Sequence, residues 1–138
     1  MANDFEVFVD ARVPADQAWA LAGDPAAIPS WFTAVKAVGI DGNVRRAVMG
    51  NGAEIVERLV DRDDAARHYS YVVVSGIPDL TSHRATIRVE PTPGGARIFW
   101  RQTATSSNPD YDIEARLRGV MAGGLNRLRE VLEAGSAD

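Results

Sequence analysis

Few residues in this sequence can move a proton or grip an anion from an apolar setting, and Glu57 and His83 lead them. Glu57 alternates with Ile55 and Leu59, whereas Glu54, Val56, Arg58 and Val60 take the opposite face of the same stretch, so Glu57 points with the less charged set. A carboxylate there needs a partner, because an uncompensated buried charge is costly and tends to take up a proton. The preceding stretch, 44–49, supplies one in either of two registers. A three-residue turn over 50–52 sets Arg45 opposite Glu57, and a two-residue Asn51-Gly52 turn sets Arg46 there. Such a pair is either a structural salt bridge or an anchor. As an anchor, the arginine grips a carboxylate, phenolate or enolate through paired hydrogen bonds while Glu57 fixes it or acts as a base. His83 shares a face with Ala85, Ile87 and Val89, and its ordinary pKa suits proton transfer near neutrality. The plainer role for a single histidine there is a hydrogen-bonded lining residue. On 97–105, Ile98, Trp100, Gln102 and Ala104 face inward because Arg97 and Arg101 belong in water. On 67–75, Tyr69, Tyr71 and Val73 share one face and Ser70, Val72 and Val74 the other, and hydrophobicity alone does not choose between them.

Other chemistries find little support. With no cysteine and two histidines in 138 residues, disulfides, thiolate nucleophiles, Cys-ligated zinc and an all-histidine zinc site are excluded. The only lysine, Lys36, gives no evidence of Schiff-base chemistry, and no glycine-rich phosphate loop follows a strand. The Asp61-Arg62-Asp63-Asp64 cluster lacks calcium-loop spacing and reads as a solvated turn. No metal and no cofactor is expected. Fifteen basic against 19 acidic residues give a net charge of -4, which speaks against nucleic acid as a partner. The apolar runs are too short for membrane insertion and the N-terminus lacks a signal-peptide pattern, so a cytoplasmic protein, monomer or homodimer, is expected.

The elements that must position these residues follow from periodicity. Alternation predicts a strand over 3–13, ended by Pro14, then two short helices, one from Ala15 and one reaching Trp31 and Phe32. Extended segments are predicted over 35–40, 44–49, 54–61, 67–75, 82–90 and 96–105, joined by turns short enough for an antiparallel meander. A long helix is predicted from Asn108-Pro109-Asp110, with Asn108 as its N-cap. Ile113, Leu117, Val120, Met121, Gly124, Leu128, Val131 and Leu132 form its apolar stripe. Gly123 and Gly124 cost about 1 kcal/mol each relative to alanine inside a helix, so close helix–sheet approach or room for a ligand is required there. The expectation is a single α+β domain over 1–134 with a flexible tail over 135–138.

The ordered set Val13-Pro14-Ala15 with Ala18-Trp19, Ile28-Pro29-Ser30-Trp31, Gly42-Asn43-Val44-Arg45, Ile55-Val56-Glu57-Arg58-Leu59, Tyr69-Ser70-Tyr71, Ala85-Thr86-Ile87, Gly94 to Trp100 and Gly124-Leu125 resembles the START or SRPBCC superfamily. That superfamily includes polyketide cyclases and birch-pollen-allergen-like proteins. The resemblance implies a helix-grip fold, in which a seven-stranded curved antiparallel sheet wraps a long C-terminal helix, with a cavity between them. It favours Arg45, Ala47 and Met49 inward on one strand and Tyr69, Tyr71 and Val73 inward on another. It also places a mouth at the 76–82 loop beside His83. The implied function is binding of a small hydrophobic or aromatic, oxygen-bearing molecule, with cyclase or dehydratase chemistry, or lipid or small-molecule carriage or sensing through a partner. The candidate catalytic set is then His83, Glu57, Arg45 and Tyr71. The candidate ligand walls are Met49, Ile55, Leu59, Tyr69, Val73, Ala85, Ile87, Trp100, Gln102, Leu117, Met121 and Gly124. The sequence departs from the family pattern where Arg101 to Thr105 is shorter and more polar than usual, and where His83 replaces a common aromatic.

Overall fold

Alternating strands that are apolar on one face need a cover, and the long amphipathic helix supplies it. The computed structural model describes residues 3–135. Its elements run β1 (Asn3–Ala11), α1 (Ala15–Ala22), a 3-10 turn (Pro25–Ser30), β2 (Val35–Asp41), β3 (Val44–Met49), β4 (Glu54–Asp63), β5 (His68–Ser75), β6 (Leu80–Thr92), β7 (Gly95–Ser106) and α2 (Ile113–Gly135). The strands form one seven-stranded sheet in the order β1-β7-β6-β5-β4-β3-β2, so β2 through β7 meander and β1 closes onto β7. Every pairing is antiparallel. This is the helix-grip architecture. Inside the grip, Phe5, Ile87, Val89, Ile98 and Trp100 meet Met121, Leu125, Leu128 and Leu132 of α2, and all are buried. No helix among the described residues is long and apolar enough to cross a membrane.

Several boundaries differ from expectation for identifiable reasons. β1 stops at Ala11 because the Arg12 N–H leaves the ladder and donates to Glu133 Oε2 at 3.0 Å. α2 starts at Ile113 rather than at Asn108. Asn108 Oδ1 accepts from the Asp110 N–H in a tight turn, and it is Asp112 Oδ1 that takes the Ala115 N–H, each at 3.0 Å. The helix runs on through Gly135, the first residue of the expected tail, and 136–138 lie outside the described residues. β6 begins at Leu80, which shortens the expected 76–82 loop to 76–79 and sets His83 inside a strand. Thr81, Ser82 and Thr105 hydroxyls join at 2.6 Å and hold that extension. On α2, Val120 is exposed and Leu117 half-buried, and Leu125 takes the expected place of Val120 in the core.

Candidate functional site

The 50–52 turn decides which arginine meets Glu57. Gly52 takes φ +89°, Asn51 Oδ1 accepts from the Ala53 N–H, and the Met49 N–H donates to the Ala53 carbonyl at 2.8 Å. This three-residue turn pairs Arg45 with Glu57. Both side chains fall on the inner face, where Arg45 is 0% and Glu57 9% exposed. Arg45 Nε donates to Glu57 Oε1 at 2.8 Å, and Nη1 donates to the Pro25 carbonyl at 3.1 Å and more weakly to the Tyr69 hydroxyl at 3.4 Å. The guanidinium carbon sits 4.8 Å from the centre of the Tyr71 ring, close enough for a cation–π contact. Arg45 Nη2 is buried with no partner among the described residues.

Charges in this cluster pull in opposite directions. Burial disfavours the Arg45 cation, but Tyr69, Glu57 and Tyr71 outweigh it and hold the guanidinium above its ordinary pKa. Burial pushes the Glu57 carboxyl up, against the attraction of Arg45. The Arg45 direction governs the pair, because a guanidinium keeps its proton and the 2.8 Å contact is that of an ionised pair. Glu57 is a carboxylate made more basic by its surroundings. Burial also raises both phenols, Tyr69 and Tyr71, so they stay protonated and act as donors. The Tyr71 oxygen accepts from Trp100 Nε1 at 3.2 Å, and its own O–H has no acceptor among the described residues.

His83 does a different job. β5 and β6 pair only from His68 with Arg88 to Tyr71 with Ala85. Beyond that point the strands part, and His83 Nδ1 accepts the Val73 N–H at 3.0 Å in place of a ladder carbonyl. Its Nε2 then carries the proton and donates to Gln102 Oε1 at 2.7 Å. Burial lowers the His83 pKa, offset in part by Gln102. Both nitrogens are engaged, so His83 bridges the parted strands.

A hollow of about 50 Å³ adjoins the cluster, lined by Ile28, Phe32, Val35, Ala47, Met49, Ile55, Glu57, Tyr71 and Trp100. It has room for a few water molecules and falls well short of the ~150 Å³ that accommodates a benzene-sized guest. Of the expected site residues, Met49, Ile55, Glu57, Tyr71 and Trp100 line it. Arg45 and Tyr69 stand behind Glu57 and Tyr71. Ala85, Ile87 and Met121 are packed at 0% exposure and face no open space. Leu59, Leu117 and Val73 are half-buried and lie off the hollow, and Gln102 serves His83. Gly124 lies beside the hollow's aromatic wall, where a Cβ would come within 2.9 Å of Phe32 Cδ1 and 3.4 Å of Trp100 Cζ3. Gly123 would meet nothing, so only one of the two glycines has a steric reason. Ile28, Phe32 and Val35 were not expected to line the hollow. The inward face of Ala47 was implied by the family resemblance, whereas Phe32 sits on a turn where alternation assigns no face.

The same architecture recurs in solved structures. A protein from Thermobifida fusca is 31% identical, with a TM-score of 0.81 over 94% of this chain and 92% of that one. An uncharacterised protein from Bacillus thuringiensis is 24% identical, with a TM-score of 0.88 over 94% and 98%. The Zhui aromatase/cyclase from a Streptomyces species is 18% identical, with a TM-score of 0.81 over 96% and 94%. No curated protein matches in sequence. Residues 3–133 match the sequence family described as polyketide cyclase / dehydrase and lipid transport. With nearly the whole chain matched and the helix-grip fold in place, the chain belongs to that family, within the SRPBCC superfamily.

Proposed function

We propose that the protein binds a small hydrophobic or aromatic molecule carrying an acceptor oxygen, with its apolar body against Trp100, Met49 and Ile55 and its oxygen at Arg45 and Tyr71. The observation that carries this reading is the unpartnered Nη2 of a fully buried Arg45 beside an apolar hollow. Leaving a charged donor unbonded away from water costs more than the ~1–3 kcal/mol of a neutral group, and a ligand oxygen supplies the missing partner. The arrangement supports enolate chemistry. Arg45 and Tyr71 donate where negative charge develops on a carbonyl oxygen, and Glu57 takes the proton from the adjacent carbon. Attack of that enolate carbon on a second carbonyl is an aldol-type cyclisation, and loss of the resulting hydroxyl as water is a dehydration. The family description and the aromatase/cyclase likeness agree with this reaction class.

A second reading, a carrier or sensor without turnover, is favoured by His83, whose two nitrogens are both committed to the protein. Native mass spectrometry of the purified protein, with thermal-shift screening against aromatic polyketides, fatty acids and steroids, tests binding. A class-specific stabilisation is expected, and no stabilisation by any class would sink the reading. Glu57→Gln then separates the two versions: loss of turnover with binding kept marks an enzyme, and a change in affinity alone marks a carrier.

A further inference from the structure

We propose that Phe32 is a built-in plug: its ring occupies the place of a ligand ring, and the site, once Phe32 swings out, takes a phenol-class guest of one or two fused six-membered rings. This rests on the ligand-binding reading above. The Phe32 ring stands edge-on to Trp100 at 5.4 Å and 85° between planes, and 6.1 Å from the Trp31 ring. It reaches α2 at Gly124, where a Cβ would come within 2.9 Å of Phe32 Cδ1. Gly124 is therefore the socket of this ring. The same ring walls the hollow that Glu57 and Tyr71 also line, so the ring and the polar cluster share one hollow.

Phe32 is also placed to move. Trp31 and Trp100 are 1% and 2% exposed and form fixed walls, whereas Phe32 is half-buried and lies between the 3-10 turn and β2. Its backbone stays tied, with its N–H on the Ile28 carbonyl at 2.8 Å and its carbonyl accepting from Val35 at 3.0 Å, so the side chain alone must rotate. That is a rotamer change rather than a rearrangement of the chain. With the ring out, its volume joins the hollow. The walls then left are Trp100 and Tyr71 with aliphatic side chains such as Ile28, Met49 and Ile55, and the donors are Arg45 Nη2 and the Tyr71 O–H. Glu57 already neutralises Arg45, so a neutral hydroxyl or carbonyl oxygen fits better than a free carboxylate.

Titration calorimetry of the full chain with 1-naphthol and with naphthalene, on wild type and Phe32→Ala, tests the plug. If the plug-out conformer is populated at ~1–10%, removing the ring tightens 1-naphthol binding on the order of 10- to 100-fold, and 1-naphthol outbinds naphthalene. Equal 1-naphthol affinity in the two proteins overturns the plug and leaves the ligand reading standing. Equal affinity for naphthalene overturns the oxygen requirement. No binding by either protein, with a cooperative melt retained, overturns both the plug and the ligand reading. Phe32→Val carries the comparison if the alanine variant loses its melt.

Discussion

Two hollows lie on opposite faces of the sheet. The outer one is the larger at about 520 Å³, lined by Glu6, Asp61, His68, Ser70, Arg84, Thr86, Arg88 and Arg101. The inner one holds about 50 Å³. In the outer groove, Arg88 meets Glu6 at 2.6 Å in a half-buried pair and Arg101 meets Asp4 at 2.5 Å in an exposed one, and both are reached by solvent and screened. Inside, a single pair is sealed from water and its arginine keeps a donor unbonded. Volume therefore does not locate the chemistry here. Desolvation does, because it makes one unmade bond at Arg45 matter more than the whole charged groove outside.

Breaking a pair on each face should expose that contrast most strongly. Glu57→Ala leaves Arg45 charged and uncompensated, and denaturant unfolding should show a loss of about 3–5 kcal/mol. Glu6→Ala, measured the same way, should cost less than about 1 kcal/mol, and less still in high salt.

Gly123 and Gly124 of α2 give a smaller contrast between faces. Gly123→Ala, in open space, should stabilise by up to about 1 kcal/mol. Gly124→Ala should lose that gain against Phe32, and the Gly124→Ala, Phe32→Ala double variant should recover part of it, a coupling of about 0.5–3 kcal/mol in a double-mutant cycle.

His83 sharpens the comparison through pH. Its folded pKa is depressed from 6.5 by burial, so the unfolded chain binds the proton more readily. The stability it contributes is present above pH 6.5 and is lost as pH falls below that value through the folded pKa. Wild type should lose unfolding free energy over that window, and His83→Gln should lack this component. The smallest effect is expected outside: Asp10→Ala, which frees the exposed Arg97, should melt at the wild-type temperature in moderate salt.

The strand order and the long helix were legible because alternation and 3.6-residue spacing report burial directly. Glu57 and its arginine were legible for the same reason, although the choice of Arg45 over Arg46 hung on one residue of turn length, which the sequence left open and the Gly50-Asn51-Gly52 conformation settles. A hydrogen-bonded His83 was the plainer reading, but its partners, the Val73 N–H and Gln102, were not legible. They depend on β5 and β6 parting after Tyr71 and Ala85, and strand pairing at that distance leaves no mark in either segment alone. Phe32 was hidden because an irregular turn has no period, and the start of α2 was misplaced because Asn108 and Asp112 are both capable caps.

A structure of the protein with a guest from the screen tests the central claim most directly. The account predicts the guest's oxygen at about 3 Å from Arg45 Nη2 or the Tyr71 hydroxyl, with its body against Trp100. A guest seated in the outer groove among Arg84, Arg88 and Arg101, with Arg45 Nη2 still unpartnered, would contradict it.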